Sequence, residues 1–142
     1  MATSNAATTY LENKILDFLF KNNSSSFATP GNSIYVGLAT AVSDAEAGSL
    51  TEATFGSYAR QQVTAANWTL TSASADTQTI KNSANIEFPA STGTSNTITH
   101  AFIVDAASSG NILFVGALDA SKTIATGDVF RINTNNLTIE LK

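Results

Sequence analysis

The segment Thr97–Leu118 constrains the fold of this chain more than any other part of its sequence. Two apolar runs flank the short polar stretch Asp105–Gly110. Residues 98–104 alternate with a period of two, which predicts a strand. The second run, Ile112–Val115, is apolar at four successive positions, which is typical of a strand covered on both faces. The sequence therefore predicts a long antiparallel hairpin, lying deep in a β-sandwich or against a partner.

Further strand candidates recur along the chain, with Gly, Asn and Ser in the turns between them. They are Ile34–Ala39, Tyr58–Thr64, Trp68–Leu70, Gln78–Lys81, Asn85–Phe88, Val129–Ile132 and Leu137–Leu141. Val42–Gly56 is expected to be a loop. Strands spaced about 8–12 residues apart predict a mainly β chain, an antiparallel β-sandwich or jelly-roll-like fold. The sequence has no internal repeat of the kind that extends a long fibre shaft.

One amphipathic helix is predicted near the N-terminus, at residues 9–21. Thr9 and Glu12 have the spacing of a capping box, with Thr9 as the N-cap. An apolar face follows, made of Leu11, Ile15, Leu16, Phe18, Leu19 and Phe20. We expect this face to pack on the sheet or to close one end of it, so that residues 9–142 form a single β-sandwich domain with an N-terminal helix.

Residues 1–8 are small and polar and show no periodicity, so they are predicted to form a flexible arm. Such an arm is disordered or becomes ordered only against a neighbour. We expect it to contact a neighbouring molecule or subunit through Ala2, Thr3, Ser4, Asn5, Ala6, Ala7 and Thr8.

Composition excludes several classes of function. Charged residues make up 13% of the chain, about half of the usual ~25%. The net charge is −4 and the basic residues are scattered singly, so nucleic acid is not an expected partner. Without cysteine there are no disulfides, catalytic thiols or thiolate metal sites. Neither a signal peptide nor an apolar stretch of about 20 residues is visible, so we expect synthesis in a cytoplasm and no membrane partner.

Catalytic and metal-binding patterns are weak. His100 is the only imidazole and alternates in phase with the apolar residues of its strand. Such a histidine is most simply a core or interface residue, with a proton-switch or ligand role as the alternative. The sequence has no Gly-x-Ser-x-Gly motif and too few histidines for zinc. We therefore expect no enzymatic activity.

Two sets of carboxylates are candidate sites. Asp105, Asp119 and Asp128 fall in predicted turns, where they could gather around calcium, but turn hydrogen bonding explains each of them. Asp44, Glu46 and Glu52 lie in the predicted loop and could supply paired acids, but an acidic loop is usually only solvated. We expect neither a metal nor a cofactor.

Three aromatic residues are candidates for a glycan platform: Trp68, Tyr35 and Tyr58. Flat rings stack on sugars, but a tryptophan between strands is equally well explained as part of the core. Trp68 is thus a candidate for either role.

Several strings, taken in their order along the chain, resemble those of small bacteriophage virion proteins often labelled tail fibre proteins. They are Thr9–Lys14, Ile34–Thr40, Gly56–Arg60, Phe88–Ala90, Ile98–Asp105, Gly110–Phe114, Gly116–Leu118 and Gly127–Asp128. The resemblance spans nearly the whole chain. It implies a non-enzymatic component of the particle and supplies no catalytic residues.

Two functions follow from these expectations. The first is a capsid decoration (cement) protein on the exterior of the virion, a homo-oligomer and specifically a trimer, bound to the major capsid protein. The alternative is a tail-fibre-associated or receptor-binding module that contacts tail proteins and a host glycan.

For the hairpin, burial of Phe114 predicts that Phe114→Ala costs about 3–5 kcal/mol.

Overall fold

A computed structural model describes residues 5–21, 34–74 and 77–141. The described residues are mainly β, as predicted, with antiparallel sheets and one α-helix. The helix α1 is Thr9–Phe20, and a short 3₁₀ turn covers Ala65–Asn67. The strands are β1 Ala6–Ala7, β2 Tyr35–Asp44, β3 Ser49–Glu52, β4 Gln61–Gln62, β5 Trp68–Ser74, β6 Thr77–Asn82, β7 Ile86–Glu87, β8 Asn96–Val104, β9 Ile112–Ile124, β10 Arg131–Ile132 and β11 Thr138–Leu141.

The main sheet is built around the predicted hairpin, which is confirmed as β8 and β9. Its strand order is β1-β9-β8-β2-β3, and β4 also pairs with β2. Phe102 stands opposite Val115 and Ile103 opposite Phe114. On the other side of β8, Phe102 faces Gly37 of β2. A Cβ atom at Gly37 would overlap the Phe102 ring, so the close approach of these two strands requires glycine at this position.

A bulge interrupts β9 near the far end of the hairpin. Ile98 pairs with Lys122, but two residues later His100 pairs with Ala117. Leu118–Ser121 therefore stand opposite a single residue, Thr99. Such insertions bend a strand and break the regular ladder of hydrogen bonds.

Buried side chains form clusters on the two faces of the main sheet. One cluster joins Val36 and Leu38 of β2 to Phe55, Phe88 and other residues from the segments that cover this face. The other lies around Phe102. The smaller sheets, β10-β7 and β11-β6-β5, contribute residues to the first cluster, so the fold is sandwich-like rather than a flat sheet.

Asn82 joins the sheet of β5, β6 and β11 to the chain near its C-terminus. The residue is fully buried. Its amide nitrogen donates to the carbonyls of Ala84 and Asn133, at 2.8 and 2.9 Å, and its amide oxygen accepts from the backbone N–H of Leu137 at 2.9 Å. The amide nitrogen and the amide oxygen of Asn82 therefore both have hydrogen-bond partners within the fold.

Two stretches differ from their predicted secondary structure. Val42–Gly56 is not only a loop, because β2 continues to Asp44 and pairs with β3. Tyr58–Thr64 is strand only at Gln61–Gln62. Ser57 has a positive φ of 69°, which turns the chain before Tyr58 and leaves only a short extended segment.

The run Ile112–Val115 is less covered than predicted. Val115 is buried, but Ile112, Leu113 and Phe114 are only half-buried. Phe114 lines an open groove of about 1380 Å³ together with Leu118 and Ile139. The expected cost of about 3–5 kcal/mol for Phe114→Ala assumed full burial and is therefore too high.

The start of α1 differs from the prediction by one residue. The N-cap is Thr8, not Thr9: its hydroxyl accepts from the N–H of Leu11 at 3.3 Å. The same hydroxyl donates to the carbonyl of Ile112 at 2.6 Å. One hydroxyl of Thr8 thus caps the helix and bonds it to β9.

The apolar face of α1 does not pack on the sheet as predicted. Leu11 is its buried residue, while Leu16, Leu19 and Phe20 are exposed. The helix therefore meets the domain through its first turn. No helix in the described part of the chain is both long enough and apolar enough to cross a membrane.

Candidate functional site

The most highly organised polar site in the described residues is a group of three side chains, here named the Arg60 cluster: Glu52, Tyr58 and Arg60. Arg60 donates through Nε and Nη2 to the two carboxylate oxygens of Glu52, each at 2.8 Å. The Tyr58 hydroxyl donates to Glu52 Oε1 at 2.8 Å and accepts from the backbone N–H of Leu38 at 2.9 Å. A two-pronged arginine–carboxylate pair of this kind fixes orientation as well as charge.

The Arg60 cluster anchors the turn between β8 and β9. Arg60 Nη1 donates to the carbonyls of Ala106 and Ser109, at 3.0 and 2.6 Å. The guanidinium also lies over the Phe102 ring, 5.4 Å from its centroid. One side chain thus joins β3, the following loop and the hairpin turn.

Burial and charge change the proton affinities in this cluster. Burial raises the pKa of Glu52, but hydrogen bonds from Arg60 and Tyr58 outweigh it, so that its pKa falls below the ordinary value. Hydrogen bonding to Glu52 raises the pKa of Arg60. Burial, reinforced by Glu52, raises the pKa of Tyr58. All three groups stay in the protonation states that the hydrogen bonds need.

The three glycan-platform candidates do not come together. Tyr58 packs with the first core cluster and stacks on Phe88, with ring centroids 6.1 Å apart. Trp68 packs against the same cluster, and its Nε1 donates to the carbonyl of Val63 at 3.4 Å. Tyr35 packs against the cluster on the opposite face of the sheet. A single platform made of all three is therefore wrong, because the sheet separates Tyr35 from Tyr58 and Trp68, and the Tyr58 ring and hydroxyl are already in use.

The carboxylates considered for metal or acid–base chemistry mostly bind their own turns. Asp105 accepts from the backbone N–H of Asn111 at 2.7 Å, and Asp128 accepts from that of Ala125 at 2.9 Å. Asp44 accepts from the N–H groups of Glu46 and Ala47. Asp119 is exposed on β9. Across residues 5–21, 34–74 and 77–141, no three side chains of metal-ligating type lie close enough to hold an ion.

His100 is half-buried on β8, opposite Ala39 and Ala117. Its Nδ1 lies 2.7 Å from the hydroxyl of Thr99. This hydroxyl also donates to the carbonyl of Thr40 at 3.1 Å. The histidine is thus joined to the hydrogen bonding of the main sheet.

The N-terminal arm is described from Asn5 onward; Ala2, Thr3 and Ser4 lie outside the described residues. Ala6 and Ala7 pair with β9 of the same chain. The amide oxygen of Asn5 accepts from the N–H of Ala117 at 2.8 Å, and Thr8 is buried. The prediction that this part of the arm becomes ordered only against a neighbour is therefore wrong at residues 5–8, which complete the edge of their own sheet.

Sequence reasoning missed the Arg60 cluster and the exposure of α1. The one signal for the first was an isolated arginine eight residues after a glutamate in a chain with few charges. The signal for the exposure of α1 was the width of its apolar face. A helix that contacts the sheet only through its first turn leaves most of such a face uncovered.

The antiparallel sheets, and a polar cluster whose hydrogen bonds hold the chain's own segments, define a small β-rich domain. The chain belongs to the family described as Podophage GP4 fiber I protein gp80, whose model matches residues 6–140. It is thus a bacteriophage structural protein and a virion component, and the resemblance to phage tail fibre proteins is confirmed. A comparison with curated proteins found no match.

Proposed function

We propose that this chain is a structural module of a bacteriophage tail fibre that works by position and contact rather than by catalysis. The match of residues 6–140 to a fibre family carries the proposal. The Arg60 cluster supports the proposal. Groups with an altered pKa are often catalytic, but the groups of this cluster hydrogen-bond to one another and hold the turn between β8 and β9. A rigid turn at the end of a sheet suits a protein that transmits force or presents a surface.

Within the fibre, we propose that the module binds copies of itself and neighbouring tail proteins. Identical subunits in a closed symmetric assembly bury the same surface many times over. The low charge of the chain supports this arrangement, since closely packed copies then repel each other weakly.

Capsid decoration is the second candidate, favoured by the absence of sequence repeats. A compact, repeat-free chain fits a unit that sits on a shell and bridges capsomers. The mechanism would be mechanical, because the contacts add buried area to a shell under internal pressure. Residues Ala2–Ser4 remain the candidates for reaching a neighbour, since residues 5–8 bind the chain's own sheet.

The test is to locate the protein in the particle. A phage that carries a C-terminal epitope tag on this chain would be labelled with gold-conjugated antibody and imaged, with untagged phage as the control. Label confined to the tail supports the fibre proposal and overturns decoration. Label spread over the shell does the reverse.

A further inference from the structure

The sheet of β5, β6 and β11 ends on one side in a strand that carries no protection against further pairing. Its strand order is β11-β6-β5, so β5 lies at an edge. Proteins usually guard such an edge with a charge, a proline or a covering segment. Of the outer strands longer than two residues in the described part of the chain, β3 and β11 each carry a glutamate, whereas β5 carries neither a charged residue nor a proline. Another strand can therefore add to β5.

The backbone of Leu70, in the middle of β5, points away from its own sheet. The N–H of Ser83 donates to the carbonyl of Asn67 at 2.8 Å, which fixes one hydrogen-bonded pair at the start of the ladder between β5 and β6. Bonded and non-bonded pairs alternate along antiparallel strands, so Thr69 and Thr71 are the next residues that bond to β6. The N–H and the C=O of Leu70 therefore face outward, where an added strand would bind them.

The side chain of Leu70 is the end of an apolar row that crosses the sheet. Leu70 stands opposite Ile80, and Ile80 stands opposite Ile139. Both isoleucines are half-buried, but Leu70 is 71% exposed. Side chains directly opposite each other on neighbouring strands pack together. A further strand with an apolar residue at this position would extend the row and cover Leu70.

The sequence around Leu70 is complementary to itself. Thr69 and Thr71 flank Leu70 and are both exposed. When a second β5 lies antiparallel with Leu70 opposite Leu70, Thr69 of each copy stands opposite Thr71 of the other. Apolar pairs and threonine pairs are favourable across strands, and no like charges meet. This local palindrome favours a second copy of the chain over a strand of unrelated sequence.

The free backbone groups match the same register. The N–H and C=O of Leu70 in one copy bond the C=O and N–H of Leu70 in the other, and the N–H of Ser72 reaches the C=O of Trp68 in the second copy. The N–H of Trp68 itself donates to the carbonyl of Ala65 in the 3₁₀ turn. Pairing therefore stops at Trp68, so that the contact is centred on Leu70.

We propose that the outer edge of β5 is a self-association site, at which the β5 strand of a second copy pairs antiparallel with Leu70 opposite Leu70. Two three-stranded sheets thereby join into one continuous sheet. The contact uses the same edge of both copies, so it closes as a two-fold pair. This rests on the self-association proposed above, and it names the strand and the register responsible.

Disulfide trapping tests the register. The chain has no cysteine, so a single introduced cysteine reports on its own neighbours. Leu70→Cys is expected to cross-link two chains on mild oxidation, because opposite residues of a bonded pair have Cα atoms about 5.5 Å apart, which suits a disulfide. Thr51→Cys is the matched control, at an exposed position on the outer strand β3, and is expected to stay a single chain on a non-reducing gel.

A mixture of two variants tests the same register from the other face of the sheet. Thr69→Cys and Thr71→Cys stand opposite each other only between copies. Oxidising the two variants together is therefore expected to give more cross-linked chain than oxidising either one alone.

The mass of the purified full chain tests the contact itself, by size-exclusion chromatography with multi-angle light scattering. The wild type is expected to rise with concentration towards twice the 14.8 kDa chain mass. Leu70→Lys is expected to give monomer, because two like charges are placed directly opposite each other. Thr51→Lys makes the same change of charge on β3 and is expected to keep the dimer. Circular dichroism checks folding, which Leu70→Lys should retain because Leu70 is exposed in the single chain.

Several results would overturn the proposal. They are a wild type that is monomeric at every concentration, including one that pairs with a strand of another tail protein, a wild-type trimer, and a dimer that survives Leu70→Lys. Equal cross-linking of Leu70→Cys and Thr51→Cys would also overturn it, as would a mixture of Thr69→Cys and Thr71→Cys that behaves like the single variants. Particle labelling is read out independently, so the position in the virion and this edge can fail separately.

Discussion

Removing Arg60 should destabilise the fold far more than removing an arginine at the surface. Arg60 makes a two-pronged pair with Glu52 and two hydrogen bonds to the turn after β8, and its side chain is 10% exposed. Breaking a fully buried pair costs about 3–5 kcal/mol. Glu52 is 31% exposed, so water recovers part of this, and we expect Arg60→Ala to cost about 3 kcal/mol.

The matched control is Arg131→Ala. Arg131 also pairs with a glutamate, Glu87, but both side chains are half-exposed, so its loss should cost less than about 1 kcal/mol. Arg60→Lys keeps the charge but cannot form both prongs and reach two carbonyls, so it should cost about 2 kcal/mol.

Urea unfolding followed by Trp68 fluorescence, at one fixed protein concentration, gives each free energy of unfolding by linear extrapolation. Equal losses for Arg60→Ala and Arg131→Ala would refute the reasoning, because the two sites differ in burial and in the bonds to the turn. A wild-type value for Arg60→Lys would show that the fork geometry is unimportant.

Three further predictions follow from other contacts. The pKa of Glu52 in the fold lies below its ordinary value of 4.5, so the stability that the Glu52 carboxylate contributes is complete above pH 4.5 and is lost as the pH falls through the lowered pKa. The loss of stability in acid, measured by thermal unfolding, should therefore be weaker in Glu52→Gln than in the wild type. The same acid profile in both proteins would contradict this. Asn82→Ala should cost about 3 kcal/mol in urea unfolding because three buried hydrogen bonds are lost. The control Asn85→Ala, at an exposed residue, should cost about 1 kcal/mol or less. Similar costs for the two variants would show that the buried hydrogen bonds of Asn82 do not stabilise the fold. Gly37→Ala should lower the free energy of unfolding by about 2 kcal/mol or more because its Cβ overlaps the Phe102 ring, and a wild-type melting temperature would show that the strands can move apart.

The hairpin was predictable because it depends on local order in the sequence. Alternation over 98–104 and the polar turn at Asp105–Gly110 specify two strands and their connection whatever surrounds them. The mainly β fold follows in the same way from several such segments. Capping of α1 was predictable to within one residue, since Thr8 and Thr9 both carry a hydroxyl and only the sheet distinguishes them.

The candidate site was not predictable for the opposite reason. The Arg60 cluster depends on where β3 ends and on a turn more than forty residues away, and no local pattern encodes that meeting. For α1, periodicity identifies which side chains are apolar but not what covers them. The position of Phe114 in four successive apolar residues suggested a covered strand, yet one side of β9 borders the open groove.

The bulge at Leu118–Ser121 also limits where a further strand could add to β9. A long, straight outer strand is a template on which further strands can add without end. Here β1 occupies the start of the β9 edge, the side chain of Asn5 occupies the N–H of Ala117, and the ladder is then broken by the bulge. The remaining stretch of the β9 edge is thus a poor template for an added strand.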